Sequence, residues 1–377
     1  MTNRTFVAIT GVRPPDNKLV NRTPVSDAEA GQILMSGFKG GEPGDPGVEE
    51  MRTLISQGKV GSIILMGNNI TSSEQLKRLT QHLQSAAPPN SPLLIAVDQE
   101  GGAVQRLSAD KGFKGFPSAA QMTAIASKDM AQAQQIYRDM ARELKAHGIN
   151  MNLGPVVDMS NPTQYMGKLG RSYGTDPALV TRMADAFIKA HKDEGVLSVL
   201  KHYPGHGTAA DTHIGTGNIN ASWKPNELEP FRKLASQSAG VMMSHTTHTR
   251  FSDNGLPATL SSRAFQSLRQ DVGFRGVAIS DGMEMDAVRK LAPYRELLPA
   301  MVRAGNNIVI LPTDHSSRNG LSPRDAHETL MKAATQDPEV LQNIRASAQT
   351  VRQLKEQLRG ETMQAQHKPN AGKVTPA

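Results

Sequence analysis

The chain has 377 residues, 38% hydrophobic and 20% charged, enough to bury the core of one large α/β domain or two smaller ones. A formal net charge of +7 favours anionic partners, but aromatics are only 4%, the basic residues are dispersed and no nucleic-acid-binding motif is recognisable, so an acidic glycan or cell-wall fragment is expected rather than nucleic acid. Cysteine is absent, no apolar run has membrane-spanning length and MTNRTFVAITG carries no secretory signal; the expected location is the cytoplasm, or the periplasm or exterior if a leader has been removed.

Residues 1–25 contain one apolar run, Phe6 to Ile9, and then a Pro- and Asn-rich arm expected across the bottom of the domain. Short apolar runs follow at 32–38, 60–66, 92–98, 149–158, 196–202, 240–245, 276–281 and 306–311. Between them lie amphipathic stretches at 72–85, 127–147, 177–194 and 262–271, each opening near Ser, Thr, Asp or Pro as a capped helix does. GGEPGDPG at 40–47 is a loop, 322–358 is helical in pattern, and the chain should end in a flexible tail over 361–377. Strands alternating with helices imply parallel pairing and right-handed crossovers, and eight such units predict a closed (β/α)8 barrel of TIM type, one α/β domain over 26–360.

Polar residues support the barrel. Asp98, Asp158, Lys201 with His202, His245 and Asp281 all fall where an apolar run ends, and barrel enzymes keep their chemistry on that rim. A doubly wound sheet would instead show a glycine-rich phosphate turn before a helix, and none is convincing.

The densest cluster is KHYPGHG at 201–207, followed by Asp211, Thr212 and His213. Solvated turns do not need three histidines, a lysine and a spaced Asp and His in so short a stretch. In an extended loop, side chains two apart point the same way, so Asp211 can accept the His213 N–H and leave the other ring nitrogen for substrate. A zinc site from His202, His206 and His213 is the rival, disfavoured because Pro204 and Gly205 break the helix that would align two of those rings.

KHYPGHG with its following DTH, AVDQEGGAVQRL at 96–107, GRSYGTDP at 170–177 and AISDGMEM at 278–285 together resemble glycoside hydrolase family 3, in its bacterial β-N-acetylglucosaminidase branch. The resemblance implies Asp281 as nucleophile, His213 as acid/base oriented by Asp211, and Asp98, Arg106, Arg171, Lys201 and His202 as ligands of the terminal sugar, with strand-end His245 added to that set. It implies retaining hydrolysis through a glycosyl-enzyme, with no metal or organic cofactor. The expected substrate is a GlcNAc-terminated glycan or muropeptide, and the expected state a monomer. A β-glucosidase of the same family, or a catalytically silent glycan-binding barrel, are the alternatives. Three features depart from the branch pattern: GHG and Asp211 are one residue closer, Gly282 stands where another acidic or small residue is frequent, and Glu284 and Asp286 are neighbouring carboxylates that compete with Asp281.

Overall fold

This computed structural model describes residues 23–206, 209–215, 217–311 and 320–366. The recurring apolar runs become eight parallel strands: β1 (Leu34–Ser36), β2 (Ser62–Leu65), β3 (Leu94–Val97), β4 (Met151–Asn152), β5 (Leu197–Tyr203), β6 (Gly240–Met243), β7 (Val277–Ser280) and β8 (Val309–Leu311). They pair in the order β7-β6-β5-β4-β3-β2-β1-β8. Ile279 bridges Ile308 in parallel, and the Ser280 N–H donates to the Ile308 carbonyl at 2.9 Å, so the two ends of the sheet meet and the barrel closes.

Crossover helices follow the strands in turn: α1 (Pro46–Ser56), α2 (Ser73–Gln84), α3 (Met130–Ala146), α4 (Pro177–Asp193), α5 (Glu229–Leu234), α6 (Ser262–Gln270) and α7 (Tyr294–Ala304), with α8 (Pro323–Gln336) and α9 (Pro338–Gln366) after β8. Several of their starts are capped by side chains. The Ser72 side chain accepts the Gln75 N–H, and Asp176 accepts the Ala178 N–H with Pro177 in the first turn, where its missing donor costs nothing. Helix α3 begins later than Ser127 suggests, because Asp129 takes both the Ala131 and Gln132 N–H groups and is the stronger cap. The helical pattern of 322–358 resolves into two helices. Asp337 is extended before Pro338, and its carboxylate accepts the Glu339 N–H at 2.8 Å.

Alternation along the strands sorts the core. Ile63, Leu65, Ile95 and Val97 pack outward with α1 and α2 residues such as Leu54, Leu76 and Leu79, whereas Ile64, Leu94 and Ala96 pack inward with Met151, Val199 and Ile279. Each fully buried side chain of this kind contributes about 1.5–3 kcal/mol. Val351, Leu354 and Leu358 of α9 join the inner cluster, and Lys355 Nζ donates to the carbonyl of Gly61, just before β2, at 2.8 Å. The last helix therefore floors the barrel at its amino-terminal end. It continues through Gln366, past the 361 boundary expected for the tail. Of the N-terminal arm only the stretch from Thr23 is described, and Val25 is already buried beside Ile33 and Leu34; residues 1–22 and 367–377 lie outside the described residues. Among those described, no helix is long and apolar enough to cross a membrane.

Candidate active site

The carboxyl ends of the strands surround a cavity of about 310 Å³, and most of the residues singled out in the sequence line it. Asp98 follows β3 directly. The turn after it is held from below: Asn152 of β4 accepts the Gln99 N–H at 3.1 Å and donates to the Gln99 carbonyl at 2.9 Å. This fixes Asp98 and Glu100 on the rim.

One ionic network covers that side of the cavity. Glu100 accepts Nε and Nη2 of Arg171, and its Oε1 also lies 2.7 Å from Lys201 Nζ. Lys201 Nζ donates to Asp98 Oδ1 at 2.8 Å, and Arg106 Nη2 reaches Asp98 Oδ2 at 3.5 Å. Burial alone would raise the Glu100 carboxyl, but Arg171 and Lys201 overcome it and hold it well below the usual carboxylate range. Burial would likewise depress Lys201, yet Asp98 and Glu100 raise it, so the ammonium stays charged.

Lys201 and His202 both face the cavity, although neighbours on a regular strand face opposite ways. The pairing of β5 with β6 is irregular between Lys201 and Tyr203. His202 Nδ1–H donates to Asp158 Oδ2 at 2.6 Å, and the His202 and His206 backbone N–H groups share Asp158 Oδ1 at 3.2 and 2.8 Å. Asp158 thus fixes the ring and the loop that follows it. Gly205 has φ +130°, and a Cβ there would lie 2.4 Å from Glu227 Oε2, so the turn requires glycine. His206 is pushed down to about 4 by burial, which Asp158 only partly opposes, so its ring is neutral.

Asp281 follows β7, its N–H donating to the Met243 carbonyl at 3.0 Å and its Oδ1 accepting the Gly282 N–H at 2.9 Å. Burial raises its pKa, but nearby His202 and His245, the Gly282 N–H and Lys201 outweigh that and hold it below the ordinary value. It is an ionised carboxylate on the cavity wall.

His213 lies across the cavity on the long loop after β5. Its Nδ1–H and its backbone N–H donate to Asp211 Oδ1 at 2.7 and 2.9 Å, which leaves Nε2 unclaimed by the dyad. The imidazole is about half exposed and lines the cavity mouth. Backbone bonds from Asp286 to the His213 carbonyl (3.4 Å) and from Ala287 to the Thr212 carbonyl (3.3 Å) dock this loop on the one after β7. Burial raises the Asp211 carboxyl, and the His213 bonds with the Tyr165 hydroxyl beside it reverse that shift. Of the three residues that separate GHG from Asp211, 208 lies outside the described residues, as do 207 and 216 on the same loop.

The expected set therefore converges, with one correction. His245 does not line the cavity: buried, its Nε2–H donates to the Gly282 carbonyl at 2.8 Å, and Nδ1 lies 2.7 Å from the Thr259 hydroxyl, so both ring nitrogens are spent on protein. It props the Asp281 loop instead of meeting sugar. Asp286 is also removed as a rival carboxylate, being paired with Arg289 and Lys290 away from the cavity lining. The sequence reading passed over Glu100, Tyr165 and the pairing of Asp158 with His202. Glu100 sits inside the quoted AVDQEGG motif, so its proximity to Asp98 was the available signal. Among the described residues no group of three His, Asp or Glu side chains is arranged to hold a metal.

The glycosyl hydrolase family 3 N-terminal domain matches residues 26–354. The chain belongs to family 3. It is accordingly a glycoside hydrolase, and its relatives fall in the branch that the four motifs resemble. The β-hexosaminidase of Alkalilimnicola ehrlichii is 34% identical over 70% of this chain and 76% of its own length. A family 3 β-N-acetylglucosaminidase from Paenibacillus superposes on 94% of the chain with a TM-score of 0.78 at 30% identity; the chain spans 65% of that protein. The Neisseria gonorrhoeae NagZ structure, solved with N-trifluoroacetyl-D-glucosamine, is 26% identical with a TM-score of 0.67, covering 91% of this chain and 98% of that one.

Proposed function

We propose that this family 3 hydrolase is a retaining, exo-acting β-N-acetylglucosaminidase that removes terminal β-linked GlcNAc, with peptidoglycan fragments as its natural source of that sugar. One observation carries the reading: the cavity that holds the ionised, buried Asp281 is flanked at its mouth by an imidazole whose far nitrogen is fixed by a carboxylate. The β-hexosaminidase relatives and the glucosamine derivative bound by the Neisseria protein support GlcNAc as the sugar. The net charge of +7 supports an anionic muropeptide as the remainder.

Asp98, Arg106, Arg171, Lys201 and His202 supply directional donors and acceptors for the sugar hydroxyls. Asp281 Oδ1 is engaged by Gly282, and Oδ2 attacks the anomeric carbon while His213 Nε2 protonates the leaving oxygen. The same nitrogen then takes a proton from the water that releases the sugar. Most retaining enzymes place a second carboxyl group roughly 5 Å from the nucleophile for this task. Here a loop imidazole does it, and imidazole exchanges protons near neutrality without an elevated carboxyl pKa.

Parallel assays of chromogenic β-GlcNAc, β-GlcNAc-MurNAc and β-Glc substrates test the reading. Both GlcNAc compounds should be cleaved with retention of configuration. Cleavage of the β-glucoside alone would overturn the choice of sugar.

A further inference from the structure

Gly282 leaves a space that any other residue would fill. A Cβ at 282 would lie 2.5 Å from Glu284 Oε2 and 2.6 Å from Oε1, because the Glu284 side chain folds back over the residue after Asp281. The N–H of the same glycine holds Asp281 Oδ1. Gly282 thus touches the Glu284 carboxyl on its side-chain side and holds Asp281 through its N–H, and both carboxyl groups line the cavity. Glu284 is exposed to that cavity, and among the described residues no lysine or arginine pairs with it.

We propose that Glu284 is a second proton-carrying catalytic residue of this site, admitted to it by the missing side chain of Gly282. The proposal rests on the reading of Asp281 as nucleophile. In the first step the Glu284 O–H proton passes to the glycosidic oxygen as the bond from that oxygen to the anomeric carbon breaks and Asp281 bonds to the carbon. In the second, the Glu284 carboxylate takes a proton from water as the water oxygen bonds to the anomeric carbon and the Asp281 ester bond breaks. His213 and Glu284 are thus parallel routes for one proton. Desolvation by the surrounding protein raises the Glu284 pKa, its own backbone N–H opposes that, and Asp281 and then Asp98 add to the rise against the pull of His213; the balance stays above the ordinary value and favours the acid form. The other charged and titratable groups around the cavity are Glu100 and Arg106 from the β3 side, Tyr165 and Arg171 from the β4 loop, and Lys201, His202 and His206 from β5 and its loop.

The test uses a substrate whose leaving group needs a proton, such as chitobiose. His213→Ala should retain slow cleavage that declines as pH rises through one deprotonation. Adding Glu284→Gln should lower that remainder on the order of 10²-fold and abolish its pH dependence. His213→Ala with Gly282→Ala, which displaces the carboxyl without removing it, should lose the same remainder, and Glu284→Asp should restore part of it. A residue that merely supports the loop would change the rate without changing the pH profile. Equal rates and profiles for His213→Ala with and without Glu284→Gln would overturn the proposal. Wild-type rates in His213→Ala, abolished by Glu284→Gln alone, would instead defeat the imidazole as principal acid while upholding Glu284. Covalent trapping of the sugar on Glu284 would defeat both.

Discussion

Glu100 grips the Arg171 guanidinium side-on, with Nε and Nη2 each 2.8 Å from one of its carboxylate oxygens. A fork held by two parallel bonds has a fixed plane, so Arg171 presents its remaining N–H groups in one direction only. Lys201 shares the same carboxylate and is tied in turn to Asp98.

Glu100→Gln should act through those neighbours. It removes the charge that holds two buried cations, so Arg171 and Lys201, the proposed sugar ligands, lose their orientation while Asp281 and His213 stay in place. The expected result is a KM about 10–100-fold higher with a smaller change in kcat, measured on a chromogenic β-GlcNAc substrate. An unchanged KM would show that Arg171 and Lys201 do not hold the sugar.

If the proposed nucleophile role holds, Asp281→Asn reduces turnover by on the order of 10⁴-fold or more while thermal unfolding stays close to wild type. A slow 2-fluoro substrate should label Asp281, and peptide mapping of the adduct decides it. Labelling of Asp286 would contradict the site as drawn.

The dyad makes a prediction about leaving groups. His213→Ala should be far slower than wild type on poor leaving groups and much less affected on a nitrophenol, which departs without a proton. Asp211→Asn should keep the ring in the loop but weaken its orientation, giving a milder loss of the same kind. Equal losses on both substrate types, with no rescue by azide, would make His213 structural.

Lys355 sets a stability prediction remote from the site. Burial, reinforced by the Arg352 charge, pushes its ammonium down to about 7, far below a free lysine. The unfolded chain therefore binds more protons than the folded one between roughly pH 10 and pH 7, and stability falls as pH falls through that window, by about 1.4 kcal/mol per unit from this residue. Below the folded pKa the penalty levels off. Lys355→Met should flatten the slope and raise the melting temperature at neutral pH; a lower melting temperature there would show that the bond to Gly61 outweighs the buried amine.

The rim was legible because a polar residue that ends an apolar run falls at a strand terminus, which located Asp98 and Asp281 directly after β3 and β7; Asp158 lies six residues beyond β4, in the loop that follows it. Direction was not legible. His245 satisfies the same rule, yet its ring turns under the Gly282 carbonyl, a contact set by two loops far apart in sequence. The Asp211 and His213 pair was local enough to read from its spacing, whereas the docking of that loop on Asp286 and Ala287 depends on where two barrel loops meet. Glu100 was hidden by its neighbours: beside Asp98 and two glycines it resembled turn polarity, and only the arrival of Arg171 and Lys201 gives it a task. The split at Asp337 and Pro338 is a plain proline stop inside a pattern that periodicity alone reads as continuous.

The floor of the barrel has a consequence for synthesis. Ring closure needs β8 to reach β1, and the plug of Val351, Leu354 and Leu358 comes later still, so the strands made first expose their inward faces until nearly the whole domain has left the ribosome. A nascent chain stalled before residue 338 would carry every residue of the candidate site and still lack the helix that keeps water out of the cylinder beneath it. For this protein, chaperone demand should be set by the interval between β8 and α9 rather than by the assembly of the catalytic rim.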